Sequence, residues 1–177
     1  MVSIIIFAVS VLVLVGIDQL IKYIVETNMT VGQTIPCIKW LVQWTYTQNK
    51  GASFSILQGK TVFLVLVTAA MMAAMIWFLA KGKVHHWVGT VSFALILAGG
   101  VGNLIDRLFK GGLVTDFIDI RPLFDFPIFN FADCCITVGE VLLCVYILFL
   151  HEKYSKKQEN RLPTTESETI AEAENEA

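Results

Sequence analysis

Four aspartates, Asp116, Asp119, Asp125 and Asp133, fall in the single stretch VTDFIDIRPLFDFPIFNFAD. The chain's three histidines, His85, His86 and His151, lie beside lysines in other segments, so neither serine nor cysteine catalysis has an obvious base. The four cysteines, Cys37, Cys134, Cys135 and Cys144, show neither zinc spacing nor an evident disulfide pairing. Paired carboxylates are what remains. One would take a proton from water while the other, protonated, donates to a carbonyl oxygen. Asp133 opens an apolar helical run, where an acid also suits the positive end of the helix dipole. Spacing alone does not choose among Asp116, Asp119 and Asp125 as its partner.

Further ionisable groups lie in or beside apolar runs, where each is costly and a functional candidate. Asn103, Asp106 and Arg107 share one helix face at i, i+3, i+4. They form either a helix end tied by an Asp–Arg pair or a site whose guanidinium fork holds a peptide. Upstream, Ala98 and Gly102 make a small-xxx-small step that allows close helix approach. Asp18 and Lys22, four residues apart, are either a salt bridge ending a span or part of the site. Glu140, seven residues after Asp133 and nearly on its face, is either a group that supports the site or a buried interhelical hydrogen-bonder, with a structural role favoured.

The elements that must position these groups are membrane spans. The 177 residues are 55% hydrophobic and 16% charged, against about one-quarter charged in soluble domains. Runs at about 3–25, 61–80, 87–105 and 133–150 are long enough to cross a bilayer, and helices are the default there. The first run lacks a basic leader and a cleavage site, so it reads as a retained span. Lys81, Lys83, Lys153, Lys156 and Lys157 place both termini in the cytoplasm. Lys22, Lys39, Lys50, Lys60, Arg107, Lys110 and Arg121 then fall outside, four of these lysines suiting anionic headgroups. The expected organisation is one membrane domain, 1–150, followed by a disordered acidic tail, 151–177.

Two outer segments join the spans. In 28–60, the run IKWLVQWTYTQN alternates, with Ile38, Trp40, Val42, Trp44 and Tyr46 on one side and Leu41 breaking the pattern. This predicts a short sheet at the membrane surface. In 109–131, Gly111 and Gly112 break the third span, and Pro122 and Pro127 forbid a continuous helix. That segment is apolar enough to be an interfacial loop. The predicted class is a mostly α membrane protein with four transmembrane helices, a small extracytoplasmic sheet and an interfacial outer loop.

DQLIK at 18–22, NKGASFS at 49–55, GNLIDR at 102–107, VTDFIDI at 114–120 and FNFAD at 129–133 occur in this order. Together they closely resemble the lipoprotein signal peptidase (signal peptidase II) family of bacterial membrane aspartic proteases. The resemblance implies removal of signal peptides from diacylglyceryl-modified prolipoproteins, with the cut just before the modified cysteine. It places the catalytic pair on Asp116 and Asp133. It makes Asn103, Arg107, Asn49, Gly51, Asn130, Asp18 and Lys22 substrate-binding or site-lining. No metal or cofactor is implied. The partners are the precursor and membrane lipid, and the expected state is a monomer in the bacterial inner membrane, with its site near the outer face. Ser53, Ile21 and Thr115 depart from the family's usual residues without removing a reactive group.

Two rival readings remain open on the residues. A channel or transporter subunit would spread its acids through the bilayer depth, whereas these gather at one lip. A purely structural protein would tolerate Asp116→Asn.

Overall fold

The structure, a computed structural model, describes residues 2–51, 57–84 and 86–150. The expected acidic tail, residues 52–55 of the NKGASFS motif with Ile56 after them, and His85 lie outside them. In chain order the elements are α1 (Val2–Asn28), β1 (Thr34–Ile38), β2 (Val42–Asn49), α2 (Thr61–Ala80), α3 (Trp87–Phe109), β3 (Val114–Asp119) and α4 (Phe131–Val145). The last helix continues as a wider π-helical turn, Tyr146–Leu150.

All four helices are long and apolar enough to cross a membrane, and the protein is a multi-pass membrane protein of mostly helical class. α3 is the central helix, packed on α1, α2 and α4. Its interior face carries small and polar residues, including Ser92, Ala98, Gly99, Gly102, Asn103 and Asp106. The large apolar side chains of α1, α2 and α4 point outward instead, as with Leu12, Val62 and Val141. That inversion suits a lipid solvent, in which close packing rather than hydrophobic expulsion holds helices together. Gly99 shows how close the approach is: a Cβ there would lie 2.3 Å from the carbonyl oxygen of Ala132 on α4. Gly102 does the same for α1, since a Cβ would lie 2.5 Å from Asp18 Oδ2.

The three strands form one antiparallel sheet in the order β1–β2–β3. Its apolar side rests on the C-terminal end of α1, where Val25, Tyr46 and Phe117 are buried together. Trp44 stacks on Phe117 with ring centroids 5.3 Å apart. The alternation read from Ile38 to Tyr46 is corrected at its start. β1 ends at Ile38 and the chain turns, with Leu41 N–H donating to Ile38 O at 3.0 Å and Trp40 in a left-handed conformation, φ 68°. Leu41 broke the alternation because the hairpin turn lies there. The outer loop is also more ordered than expected. Its first half is β3, which alternation did not reveal because its residues are buried on both faces, apart from Ile118.

Candidate functional site

α3 ends as the two glycines require. Gly111 and Gly112 adopt φ of 63° and 86°, values that a side chain disfavours. The chain then enters β3, and pairing with β2 sets Asp116 opposite Thr47. The register shifts by one residue between Trp44 and Thr47. Such bulges re-aim side chains, and here Asp116 receives a hydrogen bond from the Asn49 side chain. Asp119, three residues on, is held by Gln43 (2.7 Å) and Thr45 (2.6 Å). Strand parity thus sends Asp116 and Asp119 to different surroundings.

After β3 the chain loops out and returns at Phe129, which bridges Ile118. The next residue, Asn130, caps α4. Its Oδ1 accepts from Asp133 N–H at 3.0 Å, and its own N–H donates to Asp133 Oδ2 at 3.1 Å. This reciprocal box is the common way to satisfy orphan amides at a helix start. Asn130 has a second task. Its Nδ2 donates to Asp116 Oδ1 at 2.6 Å, so one buried amide joins the two acids.

A buried cation organises the rest. Lys22 is fully buried, with Nζ 2.9 Å from Asp18 Oδ2 and 3.0 Å from Asp106 Oδ2. It also donates to Asn103 Oδ1 at 3.1 Å. An ammonium only donates, so Asn103 must turn its oxygen towards Lys22 and its amino group the other way. That amino group donates to Asp133 Oδ1 at 2.8 Å. Asn130 Nδ2 shares the Asn103 oxygen at 3.1 Å. Asp18 additionally accepts from Ala132 N–H at 3.0 Å, tying α1 to the first turn of α4. Asp106 also accepts from Thr115 N–H (3.1 Å) and pairs with Lys110 (2.9 Å).

Asp116 and Asp133 line a common cleft of about 450 Å³ with Asn49, Asn103 and Arg107. Apolar groups such as Ile120, Phe126 and Val138 make much of its wall. Burial, and then the Asp133 charge, push the Asp116 carboxyl up to about 7, against the lowering effect of hydrogen bonds from Asn130 and Asn49. Asp119 moves the other way. The guanidinium fork of Arg121 holds its carboxyl well below the usual range, helped by Thr45 and Gln43.

The structure gathers every residue expected at the site. Asn49, Asn103, Arg107, Asp116 and Asp133 line the cleft. Gly51 O accepts from Arg107 Nη2 at 3.0 Å, Asn130 links the acids, and Asp18 with Lys22 forms the supporting layer. Three expectations are corrected. Asp18 and Lys22 do not end a span: α1 runs on to Asn28, and the pair is internal. Asp106 does not pair with Arg107, because lysines from α1 and the α3 terminus reach it first. Glu140 is exposed on the outer side of α4, not an interhelical hydrogen-bonder. Gln19 was not singled out from sequence, yet its Nε2 donates to Gly102 O at 3.1 Å within the same layer. Its adjacency to Asp18 was the available signal.

Four apolar helices under a small sheet, with two acids joined on a buried amide network, define a multi-pass membrane protein with a built polar site at one end of its bundle. Comparison with known proteins narrows the class. The family model "Signal peptidase (SPase) II" matches residues 10–149. The lipoprotein signal peptidase of Streptococcus thermophilus (strain CNRZ 1066) is 40% identical over 147 residues, 83% of this chain and 94% of that protein. That of Clostridioides difficile (strain 630) is 37% identical over 143 residues, 81% and 95% respectively. A bacterial membrane enzyme solved by the in meso method at 2.3 Å superposes with a TM-score of 0.76 at 33% identity, covering 89% of this chain and 92% of that one. The chain belongs to the signal peptidase II family.

Proposed function

We propose that this protein removes signal peptides from lipid-modified prolipoproteins as an aspartic endopeptidase, with Asp116 and Asp133 as its catalytic residues. The carrying observation is that Asn130 holds both carboxyls in one cleft, in a chain of the signal peptidase II family. Two neighbouring buried acids do not ionise together cheaply, so the pair keeps one proton near neutrality. The ionised member takes a proton from a water that attacks the scissile carbonyl. The protonated member donates to the carbonyl oxygen, and the same pair then protonates the departing amine. The proton belongs to the pair as a unit.

The surrounding residues fit substrate holding. Arg107 donates to Gly51 O and Asn103 O, while its buried Nε has no acceptor among the described residues. That leaves an N–H for a peptide carbonyl. The apolar cleft wall suits an acyl chain and the end of a hydrophobic signal segment. The domain proposed for this work is 1–150, with termini in the cytoplasm and the sheet outside.

The test is cleavage of a synthetic diacylglyceryl-cysteine precursor peptide by purified protein in detergent. Asp116→Asn should abolish cleavage while the protein still inserts and unfolds cooperatively. Globomycin, associated with the family, should inhibit the wild type. Retained activity in Asp116→Asn would refute the catalytic assignment.

A further inference from the structure

The cleft at Asp116 has a second arm. It encloses about 520 Å³ and is lined by Thr47, Gln48 and Asn49 of β2, by Arg121 and Asp125 of the outer loop, and by the irregular segment 126–128. Asp116, Asn49 and the 126–128 segment border both arms, so the two meet at the proposed catalytic acid. The first arm is walled by Arg107, Cys134, Thr137 and Val138, which belong to spans. The second is walled only by segments outside them.

We infer that this second arm binds the first residues of the mature lipoprotein, downstream of the bond that is cut, and favours basic over acidic side chains there. The inference rests on the peptidase reading and adds a substrate preference to it. A signal peptide is the membrane-embedded part of its precursor, so the chain upstream of the cut occupies the arm between spans. The chain downstream must leave by the arm that opens away from them.

The charge preference follows from which rim groups are already paired. Arg121 donates Nε to Asp119 Oδ1 at 2.8 Å and Nη2 to Asp119 Oδ2 at 2.6 Å, and its backbone N–H meets the same carboxylate at 3.0 Å. Its charge is quenched where it stands. Asp125 is exposed and joins no ion pair among the described residues. It is near enough for Arg121 to feel its charge, but not in contact with it. The rim therefore sums to one negative charge from Arg121, Asp119 and Asp125, and that charge sits on Asp125. A lysine or arginine of the passing chain meets an attraction there, and a glutamate a repulsion.

The experiment uses the purified full-length protein and three diacylglyceryl-cysteine peptides with identical signal segments. They differ only in the two residues after the cysteine: Ser-Ser, Lys-Lys or Glu-Glu. For an exposed pair, kcat/KM should favour Lys-Lys over Glu-Glu by about two- to fivefold at low salt. The ratio should shrink in 0.5 M salt, about where screening acts within a few ångströms. It should approach one in Asp125→Asn and invert in Asp125→Lys, with thermal unfolding showing that both variants fold. A wild-type ratio of one overturns the inference. So does a ratio that neither variant changes, because the preference then arises elsewhere. Failure to cut any of the three peptides overturns the peptidase reading beneath it.

Discussion

At the scale of single residues, the site depends on groups that act on Asp116 and Asp133 through hydrogen bonds. Lys22 acts on Asp133 through the orientation of Asn103, because the amide can offer its amino group to the acid only while its oxygen faces the ammonium. Lys22→Met should leave Asp18 buried without a cation and Asp106 with Lys110 alone, a loss of about 3–5 kcal/mol by analogy with broken buried pairs. In a denaturation series it should be far less stable than wild type. Asn49 acts on Asp116 more directly. Its hydrogen bond favours the ionised carboxyl, so Asn49→Ala should raise the pKa of Asp116 from about 7. The wild-type rate should fall on the alkaline side as the shared proton is lost through that pKa. In Asn49→Ala this limb should move to higher pH, by about half to one unit, even as the maximal rate falls. An unmoved limb in a pH–kcat/KM profile would remove Asn49 from this role.

At the scale of elements, the geometry rests on how closely α4 approaches α3. The close contact of Gly99 is with backbone, the Ala132 carbonyl, which has no rotamer through which to yield. Gly99→Ala should therefore push the C-terminal part of α3, which carries Asn103, away from the first turn of α4, which carries Asp133, costing about 1–3 kcal/mol as overpacking does. Thermal unfolding in detergent should show a lower Tm, and cleavage should fall more steeply than stability. The elements also show what sequence can carry. Helices were legible because lipid demands long apolar runs. β3 was not, because a strand buried on both faces does not alternate. The choice of Asp116 over Asp119 came only from family resemblance. What separates the two acids in the structure is strand parity and Arg121, and neither is visible until β3 is recognised. The Lys22–Asp106 pair joins helices far apart in sequence, beyond the reach of i, i+4 reasoning. Glu140 departs from the expectation because spacing from Asp133 fixes only its place around α4, and α4 turns that side away from its neighbours there.

For the whole molecule, the proposed topology places the sheet and the mouth of the cleft outside the cell, with the short α2–α3 link inside. Cys37 lies exposed in β1, whereas Cys144 sits within the last span. A membrane-impermeant maleimide applied to intact spheroplasts should label Cys37 and spare Cys144. Labelling of Cys37 only after lysis would reverse the orientation.

The double duty of Asn130 has a further consequence for biogenesis. The same side chain starts the fourth helix and grips Asp116, while the acid within that helix closes the box. Under the proposed chemistry, a chain still threading into the bilayer holds two scattered acids and no power to cut its neighbours. Competence arrives with the final helix, in the same step that completes the fold.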